Sequence, residues 1–372
     1  MSTDEWKIVK LSEIAYLNYG KSLTSDIRKE GKIPVYSSSG ITGWHDTALV
    51  NEDGIVIGRK GNVGSLFYAG GPFYCIDTAY YIKKSELKCN IKYFYYLLKT
   101  LGLDKLNEDS AVPGLNRDTA HSQQFSYPKE IDTQRRIAGI LSALDDKIEL
   151  NRQTNVTLEA IAQAIFKEWF VRFNFPGATG EMVESELGLI PMGWRVGKLG
   201  EMITNFDSKR VPLSRPERIN RKGIFPYYGA TSILDYIDDY LFDGVYLLMG
   251  EDGTVITNDE KPILQYISGK FWANNHAHVL QGKGMFSTEF IYLVLKNTNI
   301  KHIVTGAVQP KINQENMNNL NVIIPDSILL RNFQNIIKSF FIHKINIEEQ
   351  NSTISTIRDT LLPKLLSGEI EV

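Results

Sequence analysis

Cysteine is nearly absent from this 372-residue chain, which has only Cys75 and Cys89. No disulfide framework is implied, and a reducing, cytoplasmic setting is expected. Long apolar runs are missing too. No stretch approaches the length of a membrane span, and the N-terminus lacks the basic-then-apolar pattern of a signal segment, so a soluble protein without a membrane partner is expected. Excess charge of either sign is also lacking. The chain carries 41 Lys/Arg against 43 Asp/Glu, a formal charge of −2, which argues against the overall positive field of a generic nucleic-acid binder. Division along the chain changes little: residues 1–130 hold 16 Lys/Arg and 15 Asp/Glu, and residues 173–326 hold 14 and 17. Any contact with DNA must therefore come from local basic loops. Catalytic signatures are missing as well. There is no Walker-type phosphate loop, Gly58, Gly61 and Gly64 do not make the dinucleotide glycine pattern, and no Asn-Pro-Pro-aromatic tetrapeptide is present to hold a flipped adenine.

What the chain does have is aromatic bulk (18 Tyr, 17 Phe, 5 Trp) and 43% hydrophobic residues, enough for the cores of two or three domains. It also repeats itself. Trp6-Lys-Ile-Val-Lys-Leu-Ser-Glu-Ile14 returns as Trp194-Arg-Val-Gly-Lys-Leu-Gly-Glu-Met202. In the same order, Ile33–Tyr36 matches Phe225–Tyr228, Gly58-Arg-Lys-Gly61 matches Gly250-Glu-Asp-Gly253, and Phe73 and Ala79 match Phe271 and Ala277. Phe94–Leu97 then matches Phe290–Leu293, Ala111-Val112 matches Ala307-Val308, Leu115-Asn116 matches Ile312-Asn313, and Pro128 matches Pro325. Ordered agreement over nearly the whole length marks a tandem duplication. Short apolar runs such as Gly54–Gly58 and Val245–Met249 predict buried strands, and Ile91–Leu101 and Thr288–Lys296 predict short helices.

Each copy closes on a proline and enters a long helix, expected over Thr133–Val171 and from Leu330 to Leu365. In the first, Ile137, Leu141, Leu144, Ile148, Asn151, Asn155, Leu158, Ala162, Ile165 and Trp169 alternate at steps of four and three, the seam of a coiled coil. Phe333, Ile337, Phe340, Ile347, Asn351, Ile354, Leu361 and Leu365 hold the same spacing in the second, interrupted by Lys344 and Arg358, and Pro363 should kink or end it. Two related helices following two related domains most simply pack antiparallel about a pseudo-two-fold axis. Four segments are expected: a first globular domain at 1–130, a helix at 131–172, a linker and second domain at 173–326, and a closing helix at 327–372.

Two loops carry the chemistry worth weighing. Gly58-Arg-Lys-Gly61 and Gly250-Glu-Asp-Gly253 share their glycines and so their turn, but invert charge between them. A catalytic pair should not invert between copies of one machine, whereas a recognition loop can. His276-Ala-His278 lies on an expected strand without cysteine or carboxylate company, which favours a structural role over a metal site.

Four further segments resemble the specificity subunits of type I restriction–modification enzymes. They are Gln134-Arg-Arg-Ile-Ala-Gly-Ile-Leu-Ser-Ala-Leu-Asp-Asp-Lys-Ile148, Ala164-Ile-Phe-Lys-Glu-Trp-Phe170, Ser185-Glu-Leu-Gly-Leu-Ile-Pro-Met-Gly-Trp194 and Arg358-Asp-Thr-Leu-Leu-Pro-Lys-Leu-Leu-Ser-Gly-Glu369. The chain departs from the family at Thr133-Gln134, where Glu-Gln is usual, and at Ile328-Leu-Leu-Arg331. The resemblance implies an α+β fold: two mixed α/β target recognition domains in tandem, separated by a pair of long antiparallel coiled-coil helices. It implies a non-catalytic DNA-recognition subunit, each domain reading one half of a bipartite, asymmetric target in double-stranded DNA. The helices would set the spacing and dock two adenine methyltransferase (modification) subunits, with restriction/translocase subunits joining them. S-adenosylmethionine and ATP would belong to those partners, and this chain would bind no cofactor. The alternative is a protein-interaction scaffold, organised by the helix pair, that does not touch DNA.

Arginine and asparagine are the side chains best shaped to contact guanine and adenine. In the first domain Lys21, Ser37, Ser38, Ser39, Arg59, Lys60, Asn116 and Arg117 are the candidate DNA contacts. In the second, Lys209, Arg210, Arg215, Arg218, Arg221 and Lys222 suit phosphates, while Glu251, Asp252, Gln309 and Lys311 suit base edges.

Overall fold

The computed structural model describes residues 6–106, 114–306 and 308–372. Ala111, Val112 and Ala307 of the repeat therefore lie outside the described residues. The chain forms two compact units, one running to Asn151 and completed by Gln350–Val372, the other spanning Arg152–Glu349. This differs from the four consecutive segments expected from the sequence. Neither long helix stands as a unit of its own, because each contributes apolar side chains to two cores. Ile137, Leu141, Leu365 and Leu366 belong to the core of the first unit, and Ala162, Phe166, Phe333 and Ile337 to that of the second.

In the first unit, Trp6–Lys10 pairs antiparallel with Gln124–Pro128, bringing the two ends of the globular part together. A four-stranded antiparallel sheet runs in the order Asn18–Tyr19, Ala79–Lys83, Gly54–Gly58, Leu66–Ala69. Gly54–Gly58 is buried along its whole length, as its unbroken apolar run requires. Helix Ile91–Thr100 adds Phe94, Leu97 and Leu98 to the same core. Its first turn is capped by the Asn90 side chain, which accepts from Tyr93 N at 3.0 Å. A three-stranded sheet, Gly40–His45, Ile33–Ser37, Tyr74–Cys75, completes this part.

The second unit repeats the plan, with an added hairpin of Met182–Ser185 and Gly188–Pro191 and a difference in its main sheet. Leu264–Ala273 is a single strand where the first unit has Leu66–Ala69 and Tyr74–Cys75. Between those two lie Gly70-Gly71-Pro72, and a proline without an N–H interrupts the ladder there, whereas Gly269, at a φ of +92° close to the +97° of Gly71, sits within an unbroken strand. No proline interrupts 264–273, so one six-stranded sheet results, in the order Ile203–Asn205, Ala277–Gly282, Phe242–Gly250, Leu264–Ala273, Lys222–Tyr228, Ile233–Ile237.

The first long helix runs Ile131–Phe166 and passes into a π-helical turn at Lys167–Val171; the second runs Ser327–Ser367. Pro363 neither ends nor interrupts the second helix as expected. It lies on an exposed face, and so does Asp359, whose carbonyl loses its donor but still meets water. Every seam position is buried or half-buried. Within each unit the helix stretches run antiparallel: Asp145 meets Arg358 and Asn151 meets Asn351 in the first, while Asn155 meets Lys344 and Phe166 meets Phe333 in the second. Asn151 Nδ2 donates to Asn351 Oδ1 at 2.8 Å and to Gln350 Oε1 at 2.7 Å, so these two seam asparagines meet and mark register.

Each unit ties its helix pair to its short helix through one carboxylate. Asp145 accepts from Arg358 Nη1 at 2.6 Å and Tyr96 Oη at 2.7 Å. Glu159 accepts from Lys344 Nζ at 2.7 Å, Tyr292 Oη at 2.6 Å and Lys296 Nζ. Burial opposes ionisation of Glu159, yet the bonds from Lys296, Lys344 and Tyr292 bring its carboxyl down to about 2. In the spacing that relates Leu141 to Phe340 and Ile148 to Ile347, position 145 corresponds to 344 and 159 to 358. The acid and the base have changed places between the two repeats.

Candidate nucleic-acid interface

The charge-inverting loops sit on the same backbone frame. In the first repeat Arg59 N donates to Thr78 O at 2.9 Å and Leu115 N donates to Arg59 O at 2.8 Å; in the second, Glu251 N donates to His276 O and Ile312 N to Glu251 O, both at 2.8 Å. One side-chain bond is shared as well: Tyr80 Oη reaches Leu115 O at 2.9 Å, and His278 Nε2 reaches Ile312 O at 2.9 Å. The last glycine of each turn, Gly61 or Gly253, has positive φ (+76° and +81°), a conformation that favours glycine. Extending the register of Trp6–Ile14 against Trp194–Met202 pairs Tyr19 with Asp207. The three positions of this hub are thus Tyr19, Arg59 and Tyr80 in one repeat and Asp207, Glu251 and His278 in the other.

In the first repeat the hub is aromatic, cationic and open. The Arg59 guanidinium carbon lies 4.8 Å from the Tyr19 ring centroid and 5.7 Å from that of Tyr80. Arg117 lies 5.0 Å from the Tyr19 centroid and 5.2 Å from that of Tyr16, and its Nη1 donates to Tyr16 Oη at 2.8 Å. Tyr16 and Tyr19 are 50% and 46% exposed. Among the described residues neither arginine pairs with a carboxylate.

In the second repeat the hub is ionic and closed. His278 is buried, with Nδ1 2.6 Å from an Asp207 oxygen and Nε2 on the Ile312 carbonyl. Arg210 bonds Glu251 at 2.6 Å and lies 3.5 Å from Asp207, and Lys311 reaches Glu251 at 3.5 Å. Burial pushes the Asp207 carboxyl up, but bonds from His278, Val279 N and Asn205 prevail and hold it below the ordinary range. The expectation that these histidines lack carboxylate company is therefore corrected: Asp207 and Glu251 lie on His278, and Asp252 lies on His276. Asp207, Glu251 and His278 have metal-ligand proximity. Their ligand atoms, however, already face Arg210, Lys311, each other and Ile312 O, so an ion would have to displace existing bonds.

The family model described as the type I restriction modification DNA specificity domain matches this chain twice, at residues 3–160 and 191–353. The chain belongs to that family. Among curated relatives it is 29% identical to the MjaIX specificity subunit of Methanocaldococcus jannaschii over 306 residues, which cover 76% of this chain and 69% of the relative. It is 23% identical to the HindI specificity subunit of Haemophilus influenzae, covering 80% and 81%. The crystal structure of a type I S subunit from M. genitalium shares the fold, with a TM-score of 0.58 at 18% identity, over 97% of this chain and 96% of that one. No helix among the described residues is long and apolar enough to cross a membrane.

On this DNA specificity fold, several side chains expected to face DNA are engaged elsewhere. Ser37 and Ser38 are buried, and the Ser37 hydroxyl closes its own turn by donating to Gly40 O and accepting from Ser39 N. Asn116 caps helix Arg117–His121, its Oδ1 accepting from Asp118 N and Thr119 N; Asn313 caps Gln314–Asn318 in the same way. That recurrence therefore encodes a helix start. Arg210, Arg218 and Arg221 pair with acids, Arg218 with Asp235 and Arg221 with Asp238 and Asp239. Glu251 is bonded through both oxygens, to Arg210 and Lys311, and Asp252 through one, to His276. Lys21, Ser39, Lys60, Lys209, Arg215, Lys222, Gln309 and Lys311 are exposed, and Arg59 and Arg117 are half-buried in their stack. Tyr16, Tyr19, Tyr80 and Asp207 were not among the DNA contacts expected from the sequence. The register that aligns Trp6 with Trp194 was the signal that could have found the pair at 19 and 207.

Proposed function

We propose that this chain is the non-catalytic recognition subunit of a type I system, each repeat reading one half of a split, asymmetric DNA target. The observation that carries the reading is the shared hub, where one hydrogen-bonded frame holds unlike chemistry in two copies. A protein that meets two different half-sites with one scaffold requires this arrangement. Exposed cations outside the charge-inverting turns contact phosphates and place the frame, and the hub side chains and their neighbours meet base edges. The helix pair sets the gap between half-sites and docks two adenine methyltransferase subunits, joined by restriction/translocase subunits. Those partners hold S-adenosylmethionine and ATP, and this chain holds no cofactor.

The test is a heptad inserted into both helices, after Asn151 and after Glu349, where the two compact units meet in sequence. At about 1.5 Å per residue and about 3.4 Å per base pair, the gap grows by about three base pairs while both half-sites keep their bases. Altered bases would sink the spacing role. A chain that, with its partners, shows no salt-dependent retention on duplex DNA would favour the scaffold reading instead.

A further inference from the structure

We infer that Tyr16, Tyr19, Arg59 and Arg117 form a guanine-reading site, the two guanidiniums presenting N–H donors to N7 and O6 of guanine in the half-site of the first repeat. The inference rests on the DNA-reading function proposed above. Both guanidinium carbons lie within 5.0 Å of the same Tyr19 ring centroid, and like charges gathered on one ring call for an electron-rich ligand. The ring contacts restrict where the two guanidiniums can sit, and their forked donors suit a planar, bidentate acceptor. Each guanidinium has five donors; one on Arg117 meets Tyr16 Oη and one on Arg59 meets Asp77 O at 3.4 Å. Tyr16 and Tyr19 beside them are about half exposed, and among the described residues neither guanidinium pairs with a carboxylate.

A phosphate offers the same acceptor chemistry, and the second repeat decides between the two. Contacts that only position the duplex are needed by both readers, so they should recur in both copies. This cluster does not recur: its frame holds Asp207, Glu251 and His278 in the other copy, closed off by Arg210. What changes between two readers of one fold is the part that reads sequence.

Methylation mapping of DNA modified by the full chain with its modification subunits tests the site in Arg59→Ala, Arg117→Ala, Arg117→Lys and Tyr19→Leu. Preference for guanine at one or two positions of a single half-site is expected to fall about ten- to a hundredfold in the alanine variants. Arg117→Lys keeps the charge but loses the fork, and is expected to lose most of that preference. Tyr19→Leu, a positioning change, is expected to lose part of it. The second half-site should be unchanged, which also reports that each variant folds. An unaltered motif with uniformly weaker binding and a salt slope reduced by about one would assign the cluster to phosphates and overturn the inference. So would an unaltered motif with unaltered binding. A wild-type complex that modifies no split motif would overturn the proposed function, and the inference with it.

Discussion

Arg210 reaches Glu251, the Asp207 carboxylate and the carbonyls of Asp207 and Ala277 from a site that is only 12% exposed. Removing it leaves two nearly buried acids short of a partner, the situation in which a broken ion pair costs most. Arg210→Ala is expected to destabilise the second unit by about 3 kcal/mol, read as a lower urea midpoint. The Asp207 carboxyl is held below its ordinary range, so its contribution is complete above that range and lost as pH falls through the lowered value. The cysteines give a second test. Burial pushes both the Cys75 and Cys89 thiols up to about 12, so neither is a thiolate at neutral pH. A thiol reagent should label buried Cys75 only after unfolding and half-buried Cys89 sooner, and fast labelling of Cys75 in the folded chain would contradict its placement. Which residues lie in the candidate site was partly legible. Arg59 was readable from its loop and Arg117 from the turn before its helix, but the pairing of Arg210 with Glu251 joins residues far apart in sequence, and no local pattern announces it. Asn116 misled because a side chain suited to adenine is equally suited to a helix cap.

The two carboxylates that fasten the helices belong to the scale of elements. With its carboxyl at about 2, Glu159 stabilises the second unit fully above the ordinary glutamate value near 4.5. That contribution fades as pH falls from about 4.5 toward 2. Glu159→Gln is expected to cost about 2 kcal/mol at pH 7 and to flatten the acid limb of the stability curve. Because acid and base exchange places between repeats, Glu159→Lys or Lys344→Glu alone should destabilise, and the double exchange should recover only part of the loss, since Lys296 still faces position 159. Additive losses in that double-mutant cycle would show that the pair does not couple. The elements themselves were largely legible, since the four-three spacing and the duplicated prolines fixed both helices to within a few residues. Pro363 was not, because the cost of a helical proline depends on whether the freed carbonyl meets water, and exposure is a tertiary property. The joining of two strands into Leu264–Ala273 follows from the missing proline, a signal that was available.

At the scale of the molecule, the duplication was legible because its matches keep their order along the chain, and the division into two units was not. Sequence order suggests domain, helix, domain, helix, whereas Leu365 and Leu366, near the C-terminus, belong to the core that begins with Val9 and Leu11. Long-range packing of this kind leaves only an apolar spacing in the sequence, with no address attached. In the proposed function, two unlike readers on one frame address two unlike half-sites. Sequencing the methylation pattern of DNA modified by this chain with its modification subunits tests it most directly. The predicted result is a single motif of two different short half-sites separated by unspecified bases, with methylated adenine in each. A continuous motif, or two identical half-sites in a palindrome, would contradict it.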